Sequence, residues 1–325
     1  MTRVLIIGGG GMVGQKLANR IADQGLAGHD QIEVTLFDMA FPPDSAPGQQ
    51  ITGNVTDPTK ISDIAHARYD LIFHLAAIVS GESETNFDLG WSVNMLSMWH
   101  LLEALRAEHL ASDGRYIPKL IFTSSIAVFG GPYPEKIGDE FLSAPQTSYG
   151  AQKAICELMI SDFSRKGFID GMSLRLPTIC VRPGKANLAA SSFFSGIIRE
   201  PLNGQEAILP VPDSVRHWHA SPRTAAGFLA HAAGLDTDKL EGRRALSLPG
   251  VSCTVAEQIE ALRRAAGQSA VNLIKPQPDK AIMKIVEGWP RDFAPERAIA
   301  LGFKAEGNFD EIVETYIADD LPKTS

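Results

Sequence analysis

The chain has 325 residues, a length that favours one large domain with a smaller second part. Hydrophobic residues make up 44% of it and charged residues 21%, which excludes a disordered or fibrous protein. The formal net charge is -8 and the basic residues form no run, so neither nucleic acid nor an anionic membrane is an expected partner.

Short apolar runs alternate with helix-length stretches through the first half of the chain. Strands are predicted at 4–7, 34–37, 71–76, 119–125 and 172–176. Helices are predicted at 11–24, after Asp57, from about Phe87 to Glu108, and from about Ser148 to Lys166. This alternation predicts an α/β fold of the Rossmann type, a doubly wound parallel sheet with helices on both faces. Such strands are buried on both sides, which explains their continuous β-branched and leucine runs.

After Pro177 the pattern changes to shorter pieces separated by glycine and proline. Helices are predicted near 191–199, 221–233, 254–266 and 308–318, and a strand near 208–211. We interpret this part as a smaller C-terminal α/β lobe for substrate binding. The predicted division is therefore a Rossmann domain at 1–177 and a lobe at 178–325, of which a part around 221–250 is a candidate to return to the main sheet.

A glycine-rich turn lies between the first predicted strand and the first predicted helix. Gly8, Gly11 and Gly14 are three residues apart, and Met12 and Val13 begin the helix. Glycine allows a tight turn and lets a pyrophosphate approach the amides at the helix N-terminus. The alternative is a merely flexible turn, which the strand, turn and helix context disfavours.

Asp38 ends the second predicted strand. Its carboxylate is in the position that accepts hydrogen bonds from the adenosine ribose hydroxyls of a dinucleotide. No Arg or Lys follows until Lys60, so a 2'-phosphate would meet a carboxylate without a compensating cation. The sequence therefore predicts NAD, and not NADP, as the cofactor.

Tyr149 and Lys153 are four residues apart, and hence on one face of a helix. A nearby ammonium favours phenolate, which moves the tyrosine pKa from about 10 towards values useful for proton transfer. Ser125 ends a buried predicted strand and precedes this pair in the chain. The alternative for the pair alone is an unrelated surface contact. Together the three predict a catalytic set.

These motifs resemble the extended short-chain dehydrogenases/reductases, the group that also contains the NAD-dependent sugar epimerases and dehydratases. The resemblance rests on the glycine turn, Asp38, and the segments 53–57, 74–77, 124–130, 149–153 and 174–177, together with Asn94. It implies an oxidoreductase in which Ser125 binds the substrate oxygen, Tyr149 takes its proton and Lys153 binds the nicotinamide ribose.

The resemblance also implies further cofactor contacts. Asn54 and Val55 would lie against the adenine, with Asn54 in place of the more frequent aspartate. The backbone of Leu75, Ala76 and Ala77 would run along the cofactor, Asn94 would support an active-site water and the lysine, and Pro177 and Ile179 would meet the nicotinamide carboxamide. For Val55, Leu75 and Ile179 simple packing is a nearly equal alternative.

The substrate-binding part departs from the sugar-nucleotide pattern. Arg216 occupies the position of the substrate-binding arginine, but the residues on either side of it break the family's usual motif. The segment is similar to that of family members that oxidise a small polyhydroxy acid, such as the four-carbon aldonate D-erythronate. Arg182 or Arg216 would then bind the carboxylate as a bidentate pair, and Ser80 and Asn187 are candidates for the hydroxyls.

Alternative functions are a sugar-nucleotide epimerase or dehydratase, and a regulator that binds dinucleotide without catalysis. The pair His217 and His219 could suggest a metal, but no acidic or histidine partner lies at helical spacing, so packing or substrate contact is expected and a metal is not. Three widely spaced cysteines and the absence of a signal-peptide core predict a cytoplasmic protein. A homodimer is also expected.

Overall fold

The computed structural model describes residues 1–184 and 190–322. The strands are β1 Thr2–Ile7, β2 Ile32–Asp38, β3 Gln49–Thr52, β4 Leu71–His74, β5 Lys119–Ser125, β6 Ile137–Gly138, β7 Asp170–Leu176, β8 Thr178–Ile179, β9 Ala207–Leu209, β10 Arg216–Ala220, β11 Ala245–Ser247, β12 Val251–Thr254, β13 Ile274–Pro276 and β14 Phe293–Ala294. The α-helices are α1 Met12–Gln24, α2 Pro58–His66, α3 Ser80–Thr85, α4 Phe87–Gly90, α5 Ser97–Ala111, α6 Ser148–Arg165, α7 Ser192–Leu202, α8 Pro222–Ala233, α9 Val255–Val271, α10 Lys280–Glu287, α11 Glu296–Ala300 and α12 Phe309–Asp319.

A parallel sheet carries the first part of the fold. Within the described residues it has seven strands in the order β11-β7-β5-β4-β1-β2-β3. Every neighbouring pair is parallel. The chain moves outward from β1 to β2 and β3 and then crosses back to β4, so the carboxyl ends of β1 and β4 meet where α/β sheets bind ligands. The predicted doubly wound Rossmann fold is confirmed.

Local sequence determines where the helices near this edge begin. Asp57 caps α2 by accepting hydrogen bonds from the amides of Thr59 and Lys60, with Pro58 in the first turn. Thr147 caps α6 by accepting from the amide of Gly150. The cap at Thr147 places the start of α6 immediately before the predicted catalytic tyrosine.

The predicted helix from about Phe87 to Glu108 is not a regular α-helix throughout. The structure has α4, then a π-helical segment at Trp91–Leu96, and then α5. A π turn inserts an extra residue and is frequent at functional sites. Asn94 lies within this segment and is buried.

Contacts group the chain into two units. The first consists of Met1–Val128, Pro145–Leu176 and Ala226–Ser247, and the second of Phe129–Ala144, Pro177–Ala225 and Leu248–Ser325. β11, from the region 221–250, pairs with β7 in the main sheet. The domain boundary at residue 177 stays a prediction.

The second unit has its own hydrophobic core. β10 pairs with β12 in antiparallel and with β8 in parallel orientation, β13 pairs with β9, and β14 pairs with β6. Phe194, Leu262 and Ile312, from α7, α9 and α12, are fully buried in one cluster. Burial of apolar side chains in this cluster stabilises the short strands and helices of the second unit.

Candidate active site

The glycine turn after β1 has no room for side chains at Gly8 and Gly14. An added Cβ at Gly8 would lie 2.6 Å from the amide nitrogen of Ala76, and one at Gly14 would lie 2.3 Å from the carbonyl oxygen of Gly8. Gly8 has a φ of +88°, which favours glycine. Gly11 is the N-cap of α1 and makes no side-chain cap hydrogen bond. The amides that open α1 at Met12 therefore form an N-terminus suited to an anionic group.

Asp38 is tied to this turn. Its carboxylate accepts hydrogen bonds from the amides of Gly10 at 2.9 Å and Met39 at 2.7 Å. Its carbonyl oxygen accepts from the amide of Gly53 at 2.9 Å, which brings the residue before Asn54 to the end of β2. The carboxylate has capacity for further donors, since two oxygens accept about four hydrogen bonds.

The remaining residues predicted to lie along the cofactor surround the same strand ends. The amides of Leu75 and Ala76 both donate to the carbonyl of Ile7, at 2.8 and 3.1 Å. Asn54 is exposed and accepts from the amide of Thr56 in a local turn. By contrast, Val55 is 7% exposed and packs in the hydrophobic core. Val13 is the second residue of α1, and Ala77 is exposed. Ser80, predicted to bind substrate hydroxyls, begins α3.

The predicted catalytic residues lie on β5 and α6. Ser125 ends β5, and its hydroxyl accepts from the amide of Ala127 at 3.1 Å. Tyr149 lies in the first turn of α6, and the Lys153 Nζ atom is 5.5 Å from the centroid of its ring. The ammonium therefore lies near the tyrosine ring, as their spacing on one helix face predicts.

Lys153 is almost completely buried. Its ammonium donates to the carbonyl of Thr123 at 2.8 Å and lies 4.5 Å from the ring centroid of Phe122. Burial lowers the pKa of Lys153 to about 8, and Cys156 and Glu157 act in the opposite direction. The lysine is therefore a cation at neutral pH. An ammonium has three donors, so the bond to Thr123 leaves capacity for others.

Asn94 holds a buried network beside α6. Its side-chain oxygen accepts from the amide of Ile78 at 2.9 Å. Its amide nitrogen donates to the hydroxyl of Ser83 at 3.1 Å and to the side-chain oxygen of Gln152 at 2.8 Å. These bonds connect the segment after β4 to the residue that precedes Lys153. The expected contact with a water and the lysine stays a prediction.

The sequence profile of the NAD dependent epimerase/dehydratase family matches residues 4–226. The chain belongs to this family. It is 43% identical over 323 residues to the D-erythronate dehydrogenase of Cupriavidus necator, covering 97% of this chain and 98% of that protein. It is 41% identical over 324 residues to the D-erythronate dehydrogenase of Haemophilus influenzae, covering 98% of this chain and 100% of that protein.

A solved structure has a closely similar fold. The nucleoside-diphosphate-sugar epimerase from Agrobacterium tumefaciens superposes with a TM-score of 0.93 at 52% sequence identity, covering 98% of this chain and 94% of that one. The resemblance to extended short-chain dehydrogenases/reductases is thus confirmed over nearly the whole chain. No helix in the described part of the chain is long and apolar enough to span a membrane.

Two arginines of the second unit were predicted to bind substrate, and their surroundings differ. The backbone of Arg182 is held on both sides: its amide donates to the hydroxyl of Ser195 at 3.0 Å, and its carbonyl accepts from Arg199 at 2.8 Å. Arg216 instead donates to the carboxylate of Glu257 at 3.2 Å. A substrate carboxylate would have to compete with Glu257 for the guanidinium of Arg216.

Three further residues of the family's substrate region were predicted from the sequence. Pro177 directly follows β7, and Ile179 ends β8, where its carbonyl accepts from Arg182 Nε at 3.1 Å. The third, Asn187, lies outside the described residues.

The paired histidines of β10 have partners within the second unit. His217 is bonded to the hydroxyl of Thr178 at 2.7 Å and to the carbonyl of Pro290 at 2.9 Å, and burial lowers its pKa to about 4. His219 contacts the side-chain amide of Gln258 at 2.9 Å. No group of three or more His, Cys, Asp or Glu residues within 1–184 and 190–322 is arranged to hold a metal ion.

Sequence reasoning missed a buried ion pair next to the catalytic set. Glu157 of α6 accepts hydrogen bonds from Arg175 of β7 and from the hydroxyl of Ser124. The only available signal was that Glu157 follows Lys153 by four residues, as Lys153 follows Tyr149. Arg175 lies in the segment 174–177 that carries the family resemblance, but the sequence does not show that it pairs with Glu157, because the two lie on different elements.

Proposed function

We propose that this chain is an NAD-dependent dehydrogenase that oxidises a secondary alcohol of a small polyhydroxy acid, a D-erythronate-like aldonate, to the keto acid. The observation that carries the proposal is the identity of 43% and 41%, along almost the whole of each chain, with two D-erythronate dehydrogenases. The arrangement of Ser125, Tyr149 and Lys153 on β5 and α6 supports it independently of those names.

The residues around the ends of β1 and β2 fit a dinucleotide. The side-chain-free turn at Gly8 and Gly14 lets a pyrophosphate reach the amides that open α1, and Asp38 supplies acceptors for ribose hydroxyls. The proposed NAD-binding set is Gly8, Gly11, Met12, Val13, Gly14, Asp38, Asn54, Val55, Leu75, Ala76, Ala77, Asn94, Tyr149, Lys153, Pro177 and Ile179. Bound NAD⁺ would accept the hydride from the alcohol carbon.

The chain's own residues supply the proton chemistry. The hydroxyl of Ser125 donates to the substrate oxygen and orients it. The phenolate oxygen of Tyr149 takes the hydroxyl proton, so one proton leaves the alcohol as one hydride leaves its carbon. The Lys153 ammonium keeps negative charge favourable on Tyr149 and binds ribose hydroxyls.

A second candidate is a sugar-nucleotide epimerase, favoured by the 52% identity to the Agrobacterium tumefaciens protein of that name. The two functions differ in their net reaction. We expect NADH absorbance at 340 nm to rise with NAD⁺ and an aldonate, and not with UDP-glucose or UDP-galactose. Interconversion of UDP-sugars without net NADH would favour the epimerase. Dinucleotide binding without turnover across a broad alcohol panel would favour a non-catalytic regulator.

The substrate carboxylate is assigned first to Arg182, because its Nε donates to the carbonyl of Ile179, a residue predicted to meet the nicotinamide carboxamide. We expect Arg182→Met to raise KM for the aldonate about 10- to 100-fold, because a charge-assisted hydrogen-bonded pair with the substrate carboxylate is lost. The measurement is initial rate against aldonate concentration. Arg216→Met is the matched comparison, and a larger KM effect there would reverse the assignment. Ser80 and Asn187 stay proposals for hydroxyl contacts.

Cofactor choice is assigned to Asp38. We expect Asp38→Ala to weaken NAD⁺ binding about 10- to 100-fold, because hydrogen bonds to a charged acceptor are lost, and to reduce discrimination against NADP⁺. Initial rates with each cofactor at equal low concentration measure this. Asp44→Ala, an exposed acid that follows the same strand, is the control. A native enzyme that is faster with NADP⁺ would contradict the assignment.

A homodimer through α5 and α6 is also proposed. Leu96, which directly precedes α5, Trp99 of α5 and Leu158 of α6 are 42%, 41% and 72% exposed, so apolar side chains here face outward. We expect Leu158→Glu to convert a dimer to a monomer in light scattering. Leu142→Glu, at a residue 80% exposed elsewhere, should leave the mass unchanged. A wild-type protein that is already monomeric would rule the dimer out.

A further inference from the structure

Glu157 lies on the face of α6 that carries two of the proposed catalytic residues. Tyr149, Lys153 and Glu157 are spaced by four residues and hence lie on one face of the helix. Glu157 is 5% exposed. Its Oε1 accepts from the hydroxyl of Ser124 at 2.5 Å, and its Oε2 accepts from Arg175 Nη2 at 2.7 Å. A buried carboxylate is thus fully engaged beside the site.

Contacts at neighbouring positions fix α6 against the end of β5. Lys153 donates to the carbonyl of Thr123 at 2.8 Å, and Glu157 accepts from Ser124, the next residue. At the start of the helix, an added Cβ on Gly150 would lie 2.1 Å from the carbonyl oxygen of Ala127. Ser125 lies between these contacts, so the register of α6 on β5 sets where Ser125 stands relative to Tyr149.

Glu157 is also the buried anion near Lys153. The other titratable groups near Lys153 are Tyr149 and Cys156 from α6, and His74 from β4, on which the Lys153 ammonium acts. Burial and the nearby ammonium lower the pKa of His74 to about 3, so the imidazole is neutral. Burial raises the pKa of Cys156 to about 12, so the thiol keeps its proton. Beyond Glu157, Arg175 from β7 balances the carboxylate.

We propose that Glu157 is a positioning residue of the site, which fixes α6 to β5 through Ser124 and supplies the negative charge that keeps Lys153 protonated during turnover. The proposal rests on the proposed function, because it assigns Lys153 a role as a cation. On this proposal the ion pair of Glu157 and Arg175 contributes to catalysis as well as to the packing of α6 on β7.

The decisive variant is Glu157→Gln, which keeps the shape and removes the charge. Burial would then act on Lys153 without the opposing anion, and Arg175 would lose its carboxylate, so the pKa of Lys153 should fall below its value of about 8. We expect the alkaline limb of kcat/KM to move to lower pH, with up to a ~10-fold loss of kcat/KM at pH 9 for each unit by which the pKa falls.

A second measurement does not depend on activity. Lysine labelled with ¹³C at Cε gives an NMR resonance for Lys153, assigned by its disappearance in Lys153→Met, and its titration reports the pKa of the ammonium directly. The double variant Glu157→Gln/Arg175→Met removes both charges, and we expect it to return the Lys153 titration towards that of the wild type. Asp162→Asn, an exposed acid of the same helix paired with Arg165, should change nothing.

The outcomes separate the two proposals. If Glu157→Gln titrates as wild type in both measurements, the inference is overturned. If the titration shifts but Tyr149→Phe remains active, the proposed function fails and the electrostatic role stands. If Glu157→Gln does not fold, Glu157→Asp keeps the charge with a shorter side chain. For Glu157→Asp we expect kcat to fall several-fold, while the alkaline limb of kcat/KM stays at the pH of the wild type. An unchanged kcat would overturn the positioning role.

Discussion

Tyr149→Phe should lose about 10²- to 10⁴-fold in kcat, the usual contribution of a positioned general base. The phenyl ring fills the same space but has no oxygen to take the proton of the substrate hydroxyl. The cofactor contacts at the glycine turn and Asp38 do not involve this oxygen, so NAD⁺ affinity should stay within a few-fold of the wild type. Steady-state rates with the aldonate and fluorescence titration with NAD⁺ measure the two quantities.

Tyr116→Phe is the matched control for the removal of a phenol. Its hydroxyl donates to the carbonyl of Tyr69 at 2.8 Å, just before the amino end of β4, whereas the proposed site lies at the carboxyl ends of the strands. Losing one such bond should cost about 0.5–1.5 kcal/mol of stability and leave kcat unchanged. Tyr149→Phe with near-normal turnover would remove Tyr149 from the mechanism.

Gly14→Ala should combine the loss of cofactor binding with a loss of stability. The new Cβ would lie 2.3 Å from the carbonyl oxygen of Gly8 and 2.9 Å from the Cα of Gly9, and both contacts are backbone. Because neither can rotate away, α1 must shift from β1, at about 1–3 kcal/mol for overpacking. The helix N-terminus moves with it, so NAD⁺ affinity should fall at least ~10-fold. Urea unfolding and calorimetric titration measure the two effects.

Gly227→Ala separates this crowding from a general effect of replacing a helical glycine. Gly227 lies within α8, and an added Cβ there meets nothing within 4 Å. Alanine should stabilise that helix by about 0.5–1 kcal/mol, since glycine carries a larger entropy cost. If Gly14→Ala kept the stability and NAD⁺ affinity of Gly227→Ala, cofactor binding would not depend on the close packing of the glycine turn.

The sequence alone determined the Rossmann sheet and its first helix. The runs at 4–7, 34–37 and 119–125 correspond to β1, β2 and β5 because buried parallel strands need continuous apolar residues. Gly8, Gly14 and Asp38 were identifiable for a similar reason: each is required by local backbone geometry or by its place at a strand end. Signals of this kind lie within a few residues and are readable without the fold.

Tertiary structure decided what depends on distant partners. Glu157 and Arg175 meet only because α6 packs on β7, so their pairing could not be predicted from the sequence around either residue. Whether Arg216 can bind a substrate carboxylate likewise depends on Glu257, a residue of another element that pairs with its guanidinium. The region 221–250 was a candidate to return to the main sheet, but β11 is too short for its apolar pattern to show that β7 is the strand it pairs with. Charge pairing and strand pairing act through space, and a sequence records which groups exist but not which of them folding brings within hydrogen-bond distance.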